Sequence, residues 1–138
     1  MGNDNKLKHL EMIQGIINRM ASNSFALKGW AVTLVAGIFA LASKDADKIY
    51  FLVAYIPIVI FWFLDSYYLL QERRFRSLYD KVRNLAEDRI DFDMNITRSE
   101  FKSEKNTFCS CFASVTEIGF YVPLALVSTI VIILTYIV

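Results

Sequence analysis

The sequence predicts an all-α integral membrane protein with three transmembrane helices, an antiparallel hairpin followed by a C-terminal span. Three observations carry that expectation. Residues 25–43, 49–70 and 118–138 are long apolar stretches, each close to the roughly 20 helical residues that cover a hydrocarbon core of ~30 Å. Composition is 55% hydrophobic, with the apolar residues gathered into blocks, whereas a soluble domain interleaves them with polar ones. Basic residues are also unevenly placed. Arg73, Arg74, Arg76, Lys81, Arg83, Arg89, Arg98, Lys102 and Lys105 lie in 71–117, against Lys44 and Lys48 in 44–48. The positive-inside rule therefore expects the N-terminus and residues 71–117 in the cytoplasm, with 44–48 and the C-terminus outside.

The chain divides into four stretches. Residues 1–24 are expected to hold an amphipathic cytoplasmic helix, because Leu7, Leu10, Ile13, Ile17 and Met20 recur at three- and four-residue steps. That stripe either lies on the membrane surface or packs against other cytoplasmic helices. No cleavable signal peptide is expected, since residues 1–22 are polar. The Met-Gly start lacks the Ser or Thr of a myristoylation site, having Lys6 there.

Residues 25–70 form the transmembrane hairpin, turned at 43–48. Gly29, Thr33 and Gly37 repeat at four-residue spacing on its first helix. Small residues so spaced let helices approach closely, either within the hairpin or between subunits. Pro57 is expected to kink or loosen the second helix.

Residues 71–117 are a cytoplasmic helical segment. Its helical stripe of Phe75, Leu78, Tyr79, Val82 and Leu85 gives way at 88–97 to alternation: Ile90, Phe92, Met94 and Ile96 between Asp91, Asp93 and Asn95. Period two suggests a short strand or an extended arm needing a partner. Residues 97–100 (Thr-Arg-Ser-Glu) and 114–117 (Ser-Val-Thr-Glu) both match a helix capping box. The last stretch, 118–138, is the C-terminal span.

Chemistry is sparse. His9 is the one histidine, expected as a solvated side chain. The carboxylates between Asp80 and Glu104 are interleaved with Lys and Arg, as on a solvated surface. Cys109 and Cys111 are too close for an unstrained disulfide and too few for a structural zinc site. No catalytic, cofactor or metal signature is present, so no enzyme is expected.

The sharper signal is Lys28 in the first span and Asp65 in the second. Charges at membrane depth are costly and usually paired. In an antiparallel hairpin these two lie at similar depth, so they either pair or reach separately for the headgroups. Arg19, Glu72 and Glu117 fall near the same level and are candidates to extend a network. Ser128 and Thr135, in seven-residue register with Tyr121, are a candidate pore lining, with Leu124 and Val131 as a candidate dewetting gate. The alternative is that these hydroxyls bond their own backbone or a neighbouring helix. Arg73, Arg74 and Arg76 suit either anionic lipid headgroups or an anionic ligand.

The layout resembles the small membrane effectors of bacterial antiphage nucleotide-signalling systems, the SLATT-type proteins and the Hailong-type channel effector. The resemblance rests on Asn18-Arg-Met20, on Lys28-Gly-Trp30 leading into the first span, and on the tight hairpin. Trp62-x-x-Asp65 followed by Gln71-Glu-Arg-Arg74 completes it. It covers about the first half of the chain, and the third span departs from a two-span plan. It implies a homo-oligomer in the bacterial inner membrane that forms an ion path. A nucleotide or oligonucleotide signal, not duplex nucleic acid, would gate it, and it would act by depolarising the host. The other reading is a non-conducting membrane scaffold or the regulatory subunit of a partner complex.

Overall fold

The computed structural model of the chain describes residues 2–42 and 48–137. Its elements are α1 (Gly2–Ala42), a 3-10 helix (Lys48–Ala54), α2 (Tyr55–Asn84), three one-turn 3-10 helices, α3 (Phe108–Phe112) and α4 (Val115–Ile137). The expected turn at 43–48 lies outside the described residues except for Lys48, which opens the 3-10 helix. Three helical stretches, Asn3–Ala42, Ile49–Asn84 and Val115–Ile137, are long and apolar enough to cross a membrane by length and composition.

Residues 5–22 and the first apolar stretch form one helix, α1, instead of two. The junction Ser22, Asn23 and Ser24 contains no proline. Its residues cost only tenths of a kcal/mol each (roughly up to 0.7) in a helix interior, so nothing forces a break. Pro57 also behaves differently from expectation. It stands in the first turn of α2, where a backbone N–H has no helical partner to lose. The residues before it, Lys48–Ala54, coil as a 3-10 helix. Pro123 is the proline inside a helix interior, in α4, and it leaves the Gly119 carbonyl without its usual donor.

The chain forms two compact units. The first comprises Met1–Ser24 and Tyr67–Cys111. Its core joins Ile13 and Ile17 of α1 to Leu78 and Val82 of α2, with Ile96 and Phe101 from the connecting segment. The second comprises Phe25–Ser66 and Phe112–Val138. There Ala31 and Val35 of α1 meet Ala54, Ile58 of α2 and Tyr121 of α4, and Ala42, Phe51 and Ile132 form a smaller cluster.

The alternating segment is not a strand, and there is none among the described residues. Its period of two is instead divided between two tasks. Asp91, Asp93 and Asn95 each accept the backbone N–H two residues on, at 3.1, 3.0 and 2.9 Å, a run of Asx turns. Ile96, with Ile90 and Met94, packs into the core of the first unit. The arm therefore finds its partner within its own chain. Phe92 breaks the pattern: its φ is 54°, a costly conformation for an aromatic residue, and its ring lies 5.3 Å from that of His9. His9 is fully buried, contrary to its expected place in solvent.

The two capping signals diverge. At 97–100 the chain makes only a 3-10 turn, Ser99–Phe101, without a side-chain cap. Ser114 does cap α4, accepting the Glu117 backbone N–H at 3.4 Å. The Glu117 side chain does not return to the cap, because it is engaged elsewhere.

Candidate functional site: a buried charge cluster

Three helices place one charged residue each at a common point of the second unit. Lys28 comes from α1, Asp65 from α2 and Glu117 from the first turn of α4. Lys28 Nζ donates to Asp65 Oδ2 and, at 3.2 Å, to Glu117 Oε1. Tyr121 lies one turn beyond Glu117 on the same face of α4, and its hydroxyl donates to Asp65 Oδ2 at 3.0 Å. Asp65 and Glu117 are buried to 0% and 1% side-chain exposure, while Lys28 retains 19%. Such burial raises the strength of each contact and the penalty for each one missing.

Aromatic rings shape the surroundings. The Trp62 indole stacks between Phe112 and Tyr121, with centroids 4.4 and 5.8 Å away and both ring pairs within 7° of parallel. Its N–H donates to the Phe112 carbonyl at 3.1 Å. Lys28 Nζ also stands 5.8 Å from the centroids of Phe120 and Tyr121, within cation–π range. Ser66, next to Asp65, turns its hydroxyl onto the Trp62 carbonyl at 2.7 Å. Asp65 Oδ1 and Glu117 Oε2 receive no hydrogen bond from the protein.

The other sequence candidates fall in varied places. Of the residues expected near the cluster, Glu117 joins it, whereas Glu72 pairs with Arg76 at 2.7 Å and Arg19 is exposed. Gly29, Thr33 and Gly37 are exposed, and a Cβ built at either glycine meets nothing within 4 Å. Packing inside the hairpin therefore does not explain them; α1 uses Ala31 and Val35 there instead. Ser128 is fully buried and donates to the Leu124 carbonyl at 2.8 Å. A hydroxyl enclosed by its own chain does not line a wet path, which corrects its candidacy as pore lining. Thr135 donates to the Val131 carbonyl at 2.8 Å, and Leu124 packs on the core of the second unit.

The basic trio is largely occupied. Arg73 donates to the Lys105 carbonyl at 2.7 Å and Arg74 to the Asn106 carbonyl at 3.5 Å, so both fasten the segment that leads to α3. Arg76 is the exposed member. With Gln14, Ile17, Tyr79 and Asp80 it lines a cavity of about 270 Å³ in the first unit. Cys109 is exposed and Cys111 buried, with no disulfide.

Sequence reasoning missed two of these roles. Tyr121 looks like part of a hydroxyl stripe, yet it serves Asp65. The available signal was its four-residue spacing from Glu117. His9 offered no signal, because a polar residue on the edge of an apolar stripe is ordinary. No protein-family model, curated protein or solved structure matches this chain.

Proposed function

We propose that the chain is an integral membrane protein that assembles with copies of itself into an ion-conducting effector. In this reading it sits in a bacterial inner membrane, with the N-terminus cytoplasmic and the C-terminus outside. A cytoplasmic nucleotide-type signal gates it, and conduction depolarises the cell in antiphage defence. The observation that carries the reading is the open face of α1. Gly29, Thr33 and Gly37 present a small-residue surface left open by the described residues, and such surfaces suit close helix–helix contact in lipid. Only 17%, 28% and 11% of the three apolar windows is buried, so lipid or further subunits must cover the rest. Three spans are too few to enclose a path, which makes several copies necessary. The cavity beside Arg76 and Tyr79 is the first place to seek the signal, since a guanidinium suits phosphate and a phenol suits a base.

A second reading, a non-conducting scaffold or regulatory subunit, draws support from Ser128, whose burial removes the most regular polar position of α4. Recording from purified protein in planar bilayers, with and without candidate nucleotides, separates the two. Discrete currents from an oligomer are expected. A stable oligomer that never conducts in either condition sinks the channel and leaves the scaffold.

A further inference from the structure

The charge cluster does not balance. Two carboxylates converge on one ammonium, so with all three ionised the site carries one uncompensated negative charge. Donors are short as well. Asp65 Oδ2 takes both the Lys28 and Tyr121 donors, while Asp65 Oδ1 and Glu117 Oε2 are buried and take none from the protein. A buried anionic oxygen without a donor is among the costliest features a fold can hold.

We propose that the cluster is a proton-binding site, in which one exchangeable proton is held by the Asp65–Glu117 pair beside Lys28. A single proton corrects both deficits at once: it cancels the excess charge and adds the missing donor. No bond other than O–H forms or breaks, and the proton comes from water. A metal cation fits less well. It would sit next to the Lys28 ammonium, and hard cations seek about six oxygen ligands where this site leaves two unserved. The charged and titratable groups that face the pair come from every helix packed on it: Lys28 from α1, Asp65 itself from α2, Glu117 and Tyr121 from α4. Because the proton neutralises a site shared by three helices, its departure loosens their contact, and this gives the assembly a sensitivity to pH separate from any nucleotide. The inference rests on the membrane-spanning part of the proposed function and not on conduction.

The test is infrared spectroscopy of the full chain in lipid nanodiscs at about pH 6, above the ordinary carboxyl range. Among the described residues, Asp65 and Glu117 are the buried carboxyls; carboxyls open to water are ionised at that pH. The expected result is a protonated-carboxyl C=O band in the unaltered protein, shifted in heavy water and abolished at still higher pH together with a fall in melting temperature. Glu117→Gln, which keeps shape and supplies an amide donor, is expected to remove the band. Should that variant not fold, the band and its titration in the unaltered chain decide alone. A folded protein without the band at about pH 6 overturns the proposal. So does a band that sodium, at constant pH, displaces, which would mark a cation site. Band and bilayer current are independent readouts: current without the band retires the proton site and leaves the channel, and the band without current does the reverse.

Discussion

Lys28 is the residue on which the second unit's polar interior depends, because two buried carboxylates share its ammonium. Lys28→Met removes the cation and strands both acids. Breaking a buried pair from one side costs about 3–5 kcal/mol, so a loss of that order is expected in nanodisc unfolding. Adding Asp65→Asn and Glu117→Gln should recover most of it, since no buried charge then remains. An unchanged melting temperature in Lys28→Met alone would mean that the cluster is hydrated and contributes little. Asp91 illustrates the opposite, exposed case. Its carboxyl is held below the usual carboxylate range, chiefly by the Asp93 backbone N–H, with His9 and Lys81 adding smaller attractions. A depressed folded-state value stabilises the fold above the unfolded value, and that contribution is lost as pH falls through the lower one. Asp91→Asn, which can still accept the N–H, should therefore flatten the acid limb of stability below about pH 4, by lowering stability slightly at neutral pH and leaving it unchanged in acid. A steeper acid limb in the variant would contradict this.

At the scale of elements, α1 presents two faces with different fates. Ala31 and Val35 are buried within the second unit, while Gly29, Thr33 and Gly37 look outward. Gly29→Ile with Gly37→Ile is expected to leave the folded chain intact, because each new Cβ enters open space and glycine is a poorer helix former than isoleucine. The same pair should lower the oligomer fraction measured by light scattering in detergent. Equal oligomer mass in variant and parent would remove the small-residue face from the assembly. The 88–97 arm teaches a related lesson about elements. Alternation implies which side chains share a side, yet Asx turns satisfied the backbone locally, so no second strand was required.

For the whole molecule, the open question with the clearest test is topology. From the Lys and Arg surplus in 71–117 the positive-inside rule expects that stretch in the cytoplasm. In a background lacking Cys109 and Cys111, a cysteine introduced by Ala46→Cys should react with an impermeant thiol reagent only from outside, and one introduced by Asp88→Cys only from inside. Labelling in the reverse sense inverts the orientation, and labelling of both from one side removes the hairpin. Both compact units draw on α1 and α2, so the cytoplasmic and membrane assignments must be tested on the intact chain.

Hydropathy and periodicity were enough to find three apolar helices, the separate apolar stripes that carry Ile13 and Ile17 and that carry Leu78 and Val82, and the shared level of Lys28 and Asp65. These follow from one-dimensional quantities: the length of an apolar run, the spacing of residues along it, and the antiparallel sense that a short turn imposes. Rotation about each helix axis is not such a quantity. It is set by which side chains interlock across three helices at once. That is why only the folded chain decides that Tyr121 serves Asp65, that Ser128 is enclosed, that Gly29 and Gly37 face outward, and that His9 is buried beneath Phe92. Arg73 and Arg74 make the same point: a basic run has a charge in any conformation, but its partners, here the Lys105 and Asn106 carbonyls, exist only once distant segments are brought together.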